Sequence, residues 1–238
     1  MCALYFMTFT LAFVPARGGS KGIPRKNIVL INDKPLIAYT LELCQKIPIH
    51  DAIVSTDDED IMAVSRQYGF ETEYRRPLNL ADDYSSLVDT AIHGVDWYEK
   101  NKKCVVDNIL ILQPTSPIRE VSDLKSSLSL FSNNNLESLV SVTSMYEHPF
   151  ECIELTDNCN WNYLRKPRHE VSRRQDYVGK YGFIDGSFYL VKYDFLKKNK
   201  KFVVEGTTFP FFTSQKFPFD IDEENDLLLV QSLMQIHN

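Results

Sequence analysis

Cysteine is scarce and unpatterned in this chain. The five residues Cys2, Cys44, Cys104, Cys152 and Cys159 are odd in number, irregularly spaced over 238 residues and never form C-x-x-C. That excludes a disulfide framework and a zinc ribbon, and it predicts a reducing, cytoplasmic setting. A broad basic face is also missing. Lys and Arg number 26 against 32 Asp and Glu, for a net charge of −6, which argues against a nucleic-acid partner. No stretch reads as a membrane span. The apolar start, Met1–Val14, lacks a positive leading region and is too short to cross a bilayer, so no membrane partner is expected. Two familiar nucleotide motifs are absent as well. There is neither G-x-x-x-x-G-K-[ST] nor G-x-G-x-x-G.

The remaining composition is that of an ordinary globular protein, 44% hydrophobic and 24% charged. It predicts one domain over residues 1–238. Strand-like apolar runs recur at Thr8–Val14, Ala52–Ser55, Asn108–Leu112, Ser138–Val142 and Ser187–Val191. Helical periods fill the gaps at Leu36–Lys46, Glu59–Tyr68, Ser85–Lys100 and Val121–Phe131, and Glu223–Ile236 closes the chain. Asp57 or Asp58 is a cap for the second helix and Gly69 its stop. This βαβα alternation predicts a mainly parallel sheet with helices on both faces and ligands at the carboxyl ends of its strands. Between residues 146 and 183 the rhythm breaks. Aromatics mix with bases, no helical period is visible, and the segment reads as an excursion from the core.

Charge is distributed unevenly. Arg17, Lys21, Arg25 and Lys26 precede the first acid, Asp33, so residues 1–32 carry +4 and the remainder −10. Gly18, Gly19 and Gly22 sit among these cations, directly after the first strand. Glycines let backbone N–H groups approach phosphate oxygens, and the cations supply countercharge. A solvated basic loop is the plainer alternative, and three glycines in five residues at a strand end weigh against it. A second candidate is Asp220-Ile221-Asp222. In extended backbone its two carboxylates share a side and suit a hard cation such as Mg²⁺ beside phosphates; alternatively Asp222 caps the last helix. Gln113, in Leu112–Pro117, offers an amide that reads a ligand's edge or merely completes a rigid polar turn. Arg76 binds an anion or pairs with Asp82 or Asp83.

The stretch Pro15–Ile28, P-A-R-G-G-S-K-G-I-P-R-K-N-I, resembles the signature of the CMP-sialic acid synthetases, the acylneuraminate or nonulosonic acid cytidylyltransferases. Lys34–Thr40, Ser55–Asp58, Arg76-Pro77, Leu112–Arg119 (L-Q-P-T-S-P-I-R) and Asp220–Asp222 follow in that family's order, and the match runs from about Phe13 to the last helix. The resemblance implies an α/β, Rossmann-like nucleotidyltransferase fold with a small dimerisation subdomain, here residues 146–183, in a homodimer. It implies Mg²⁺-assisted transfer of CMP from CTP to the anomeric hydroxyl of a nonulosonic acid sugar, with release of pyrophosphate. By position, Arg17, Gly18, Gly19, Ser20, Lys21, Lys26 and Asn27 would form the triphosphate loop, with Arg17, Lys21 and Lys26 catalytic and Arg76 near the nucleotide. Gln113, Asp185 and Arg174 would lie on the sugar side, and Asp220 and Asp222 would hold metal. Where family members typically carry Asn-Gly before the late strand, this chain reads Asp185-Gly186, which leaves N-acetylneuraminate, legionaminate and pseudaminate all open as the sugar. Rival expectations are a cytidylyltransferase for another keto sugar such as Kdo, a D-x-D glycosyltransferase and a non-catalytic nucleotide binder.

Overall fold

Opposite faces of two neighbouring strands build the core of this protein, described here by a computed structural model over residues 8–70, 73–145, 147–156, 160–166, 173, 177, 179–215 and 219–236. In chain order the first elements are β1 (Thr10–Pro15), the short strands β2 (Leu30–Ile31) and β3 (Lys34–Pro35), α1 (Leu36–Cys44), β4 (Asp51–Ser55) and α2 (Glu59–Gln67). There follow α3 (Leu87–Lys102), β5 (Asn108–Ile111), α4 (Val121–Asn133) and β6 (Ser138–Ser144). The last are β7 (Ile153–Leu155), β8 (Trp161–Tyr163), β9 (Gly182–Lys192), α5 (Tyr193–Asn199), β10 (Phe209–Phe212) and α6 (Glu224–Ile236).

The main sheet has the order β10-β6-β9-β5-β1-β4. β1 is parallel to β4 and β5, and β10 to β6, while β9 is antiparallel to both its neighbours. The predicted, mainly parallel α/β sheet is therefore present, with β9 alone running against the rest. In-register pairs Pro15–Ser55 and Phe13–Ile111 bring the carboxyl ends of β1, β4 and β5 to one edge.

Side chains alternate across the strands. Leu11, Phe13, Ile109 and Ile111 meet Ala91, Val95 and Tyr98 of α3 and Phe195 and Leu196 of α5. Ala12, Val14 and Leu110 meet Ile37 and Leu41 of α1, Ile61 of α2, and Leu124 and Phe131 of α4. Sealing a side chain such as Phe13, fully buried, contributes about 1.5–3 kcal/mol. A third, smaller cluster (Ile23, Ile31, Leu36, Ile221 and Val230) joins the segment after β1 to α6. No described helix is long and apolar enough to cross a membrane. Cys44, Cys104 and Cys152 are free thiols, and burial pushes the Cys44 thiol up to about 12.

Helix ends follow from local chemistry. Asp58 caps α2, accepting on Oδ1 from the N–H of Asp60 (2.9 Å) and Ile61 (3.0 Å), and Gly69 follows its end at φ 82°. Ser86 caps α3 by accepting from the Asp89 N–H. Three helices end on a left-handed residue that is not glycine, of which the chain has only nine. Asn101, Asn134 and Asn199 each donate Nδ2 to the carbonyl four residues earlier. Just beyond them Lys103, Asn135 and Lys200 take left-handed φ of 53°, 48° and 53°. Two of these stops share a sequence: K-N-K-K-C-V-V-D at Lys100–Asp107 and K-N-K-K-F-V-V-E at Lys198–Glu205.

The predicted strand Ser187–Val191 is longer in the structure. β9 starts at Gly182 and continues through Gly186, whose φ of 71° fits a register shift against β6 between Val140 and Val142. The strand β10, the helix α5 and the β2–β3 ribbon carry no sequence expectation. Within the excursion, β7 and β8 pair as a separate two-stranded sheet whose six residues are all exposed. Tyr146, Arg168, His169 and Arg174 lie outside the described residues.

A left-handed lysine at an exposed helix end is strained by its Cβ. Lys103→Gly is expected to stabilise the fold by about 0.5–1 kcal/mol, seen as a higher urea midpoint at constant m-value. A lower midpoint would mean that the lysine side chain outweighs the strain.

Candidate active site

The basic segment after β1 is fixed at both ends. Ala16 N–H donates to the Ser55 carbonyl, and Gly18 N–H donates to Asp57 Oδ1 at 2.9 Å. Arg25 adopts a left-handed φ of 56° and starts a single 3-10 turn, Lys26–Ile28. Asn27 is buried there and donates Nδ2 to the Arg17 carbonyl at 2.9 Å. The second half of the loop thus holds the first.

The same loop touches a segment nearly 200 residues away. Lys26 Nζ donates to the Ile221 carbonyl (2.8 Å) and to Asp222 Oδ1 (2.9 Å). A Cβ on Gly22 would lie 2.3 Å from the Asp222 carbonyl oxygen, so only glycine permits this approach. Ile221 is fully buried, and its N–H donates to the Thr115 carbonyl at 2.8 Å. Asp220 and Asp222 are exposed on either side of it and both line the same cavity. Asp222 does not cap α6. Asp226 fills that role, accepting on Oδ2 from the N–H groups of Asp222 (3.0 Å) and Glu223 (2.9 Å). Among the described residues, the Asp220 carboxylate accepts no hydrogen bond.

Arg76 is nine-tenths buried at the end of β4. Its Nε donates to Ser55 Oγ (3.0 Å) and its Nη2 to the Ser55 carbonyl (2.6 Å). Burial pushes its guanidinium down to about 10, so the cation persists at neutral pH. It makes no ion pair with Asp82 or Asp83.

Asp83 instead takes the loop cations: Arg17 at 2.8 Å and Lys21 at 2.6 Å. Lys21 first, then Arg17, hold its carboxyl below the usual carboxylate range. Arg25 reaches Asp58 (3.0 Å) and Asp60 (2.7 Å). Each of the four loop cations therefore rests on a carboxylate. Partly exposed pairs of this kind contribute at most about 1 kcal/mol each, so a polyphosphate can displace them.

The cavity enclosed by these segments measures about 650 Å³. Its wall brings together Arg17, Ser20, Lys21, Lys26, Asn27, Arg76, Gln113, Asp220 and Asp222. Gly18 and Gly19 are in the loop but not on that wall. Asp185 is buried and is not on that wall; its Oδ1 accepts from Ser141 Oγ (2.5 Å) and the Ser187 N–H (2.9 Å), and its Oδ2 is unpartnered. Arg174 lies outside the described residues. Asp83, Asp57, Asp226 and Arg119 are the contributors that sequence reasoning did not assign. Asp57, Asp83 and Arg119 find partners 39 to 79 residues away, and Asp226 lies within a run of neighbouring acids, so no local spacing marks them.

Among the described residues, no histidine lines the cavity. His148 caps a short turn, accepting from the Phe150 N–H, and packs against Tyr177 and Tyr181. What the cavity can do is hold a polyanion on three cations, opposite two carboxylates able to share a hard cation with it. Gly22→Ala is expected to force the loop away from Asp222 and to lower CTP-dependent turnover at least about tenfold, with far-UV circular dichroism unchanged. Unaltered turnover would show that the loop does not need this approach.

Comparison with known proteins gives the family. The cytidylyltransferase family model matches residues 11–178. A pseudaminic acid cytidylyltransferase from Campylobacter jejuni is 30% identical over 229 residues, covering 96% of this chain and 97% of that protein. A CMP-N,N'-diacetyllegionaminic acid synthase from Legionella pneumophila is 31% identical over 232 residues, covering 95% and 97%. Among solved structures, a CMP:2-keto-3-deoxy-manno-octonic acid synthetase complexed with CTP superposes with a TM-score of 0.69 at 17% identity, covering 97% of this chain and all of that one; this likeness concerns the fold. The chain belongs to the cytidylyltransferase family and is a CTP-dependent nucleotidyltransferase.

Proposed function

We propose that this enzyme transfers CMP from CTP to the anomeric hydroxyl of a nonulosonic acid of the pseudaminic, legionaminic or sialic type. The observation that carries this is the meeting of the phosphate-sized basic loop and the Asp220–Asp222 pair in one cavity, with Lys26 bonded across the seam. The full-length likeness to enzymes named for pseudaminic and legionaminic acids supports the sugar class. Reading the cavity as a D-x-D glycosyltransferase site has no comparable support.

The reaction is an in-line displacement. The sugar oxygen bonds to the α-phosphorus, the bond from that phosphorus to the bridging oxygen breaks, and pyrophosphate leaves with the electron pair. Arg17 and Lys21 release Asp83 and take the triphosphate. Lys26 shares Asp222 with it and stabilises the leaving charge. Buried Arg76, fixed on Ser55, lines the nucleotide side of the cavity. Gln113, at the end of β5, faces the acceptor. Asp220 and Asp222 would hold Mg²⁺, and their chemistry fits: two exposed carboxylates on one wall, one of them unpartnered. When bound there, Mg²⁺ supplies Lewis-acid charge on the phosphate oxygens. Among the described residues no histidine lines the wall, and the proton of the attacking hydroxyl leaves through solvent or a phosphate oxygen.

The excursion supports assembly as a homodimer. Ile153, Leu155, Trp161 and Tyr163 on the β7–β8 hairpin are all 44% or more exposed, an apolar surface that a second copy would cover. The three free thiols support a reducing cytoplasm.

The test is incubation with CTP, Mg²⁺ and each of pseudaminic, legionaminic and N-acetylneuraminic acids and Kdo, following pyrophosphate and CMP-sugar. Turnover is expected with at least one of the first three and not with Kdo. No product from any nonulosonic acid would sink the proposal. In the active pair, Lys26→Ala should lower kcat at least about 100-fold with the melting temperature little changed. Asp222→Asn should abolish the response to Mg²⁺ titration, and a normal metal dependence in that variant would free Asp222 of its assigned role.

A further inference from the structure

Arg119 is a part-buried cation outside the cavity wall, and nothing in the reaction described so far uses it. It ends the L-Q-P-T-S-P-I-R run after β5. Its planar fork donates to three separate elements. Nε reaches the Ser187 carbonyl on β9 at 2.7 Å, Nη1 reaches Thr40 Oγ1 on α1 at 3.1 Å, and Nη2 reaches the Gln113 carbonyl at 2.5 Å. Thr40 is itself fully buried. No carboxylate forms an ion pair with Arg119 among the described residues.

Drawing a guanidinium partly out of water without a paired carboxylate is unfavourable. Hydrophobic packing between β5 and α4 would avoid that cost. What the cation does here, and an apolar side chain cannot, is hold one backbone carbonyl after β5 and one on β9 at the same time. One belongs to Gln113, whose side chain lines the cavity. The other belongs to Ser187, directly after the Asp185-Gly186 turn. The same two segments also meet where Gln113 Nε2 donates to the Gly186 carbonyl at 3.5 Å. Asp185 contributes from the same turn, accepting from the Ser187 N–H. Asp185 and Asp220 lie close enough for their charges to favour the cationic form, partly offsetting the burial that pushes Arg119 down to about 10.

We propose that Arg119 is the positioning residue of the acceptor half of the site. It sets the Gln113 amide and the Asp185–Ser187 turn in one fixed relation, and thereby sets affinity and alignment for the acceptor sugar without touching it. The inference rests on the reading of this cavity as a cytidylyltransferase site with Gln113 on the sugar side. The CTP half is held independently, by Arg17 and Lys26 of the loop after β1 and by Arg76, which is bonded to Ser55 at the end of β4.

The experiment compares Michaelis constants for CTP and for the sugar in wild type and Arg119→Lys. Lysine keeps the charge but cannot reach three acceptors from one plane. The expected result is a sugar KM raised at least about tenfold with a lower kcat, and a CTP KM within about threefold of wild type. A general structural role would lower the melting temperature and the active fraction but leave both KM values alone. Either that pattern, or an equal rise in both, overturns the proposal. Should Arg119→Lys fail to fold, Thr40→Val is read by the same criterion. It removes one of the three acceptors away from the cavity, and it is expected to raise the sugar KM about threefold with the CTP KM unmoved. If wild-type protein transfers CMP to no sugar at all, the functional reading fails, whereas an active wild type with an unselective Arg119→Lys defeats this inference alone.

Discussion

The rest of the structure depends on one requirement: a +4 segment leaving β1 has to find negative charge. It does so on every side. Asp83 comes from the loop before α3, Asp58 and Asp60 from the start of α2, and Asp222 from the approach to α6. These acids lie beyond three different parts of the chain, and their convergence at the carboxyl edge of β1, β4 and β5 is a consequence of sheet order. Parallel strands deliver their following loops to the same edge. The central position of β1, between β4 and β5, puts the basic loop in the middle of that edge.

The contact between Lys26 and Asp222 also explains why α6 belongs to the site. Ile23 and Ile31 from the first loop pack with Ile221 and Val230, so an apolar cluster sits directly under the polar contact. Hydrophobic burial supplies the energy that holds the two segments together, and the ion pair fixes their register. An exposed pair alone would not hold chain segments so far apart in sequence. The close approach at Gly22 is the third part of this joint.

Much of this was legible in the chain, for identifiable reasons. β1, β4, β5 and β6 are short apolar runs between helical periods, and α2 and α3 carry their caps in the sequence as Asp58 and Ser86. The loop was legible because its charge and glycines are contiguous. The direction of β9 was not, since a buried strand reads the same whichever way it runs. Its length was obscured by Asp185-Gly186, which looks like a stop and is a left-handed step within the strand. β10 contains Pro210 within Phe209–Phe212, which reads against a strand. It is tolerated because β10 lies at the sheet's edge. Arg76 showed how sequence proximity misleads. Asp82 and Asp83 are its near neighbours in the chain, yet its partner is Ser55, across the end of β4. Asp185, which the family resemblance puts on the sugar side, is buried off the cavity wall and bonded to Ser141 and Ser187.

Asp83 carries the electrostatic argument one step further. Its carboxylate holds Arg17 and Lys21 together at 2.8 and 2.6 Å, the arrangement that one phosphate oxygen pair would impose. A ligand arriving at this loop does not have to gather two flexible side chains from solution, because the acid has already gathered them. Ordering a long side chain costs about 1.5–2 kcal/mol, and that cost is met before binding. The ligand must instead displace a carboxylate, and a triphosphate with its greater charge does so where a monoanion does not. A carboxylate in that place therefore favours polyphosphates over simpler anions, including the singly charged acid group of the sugar that has to settle on the other side of the same cavity.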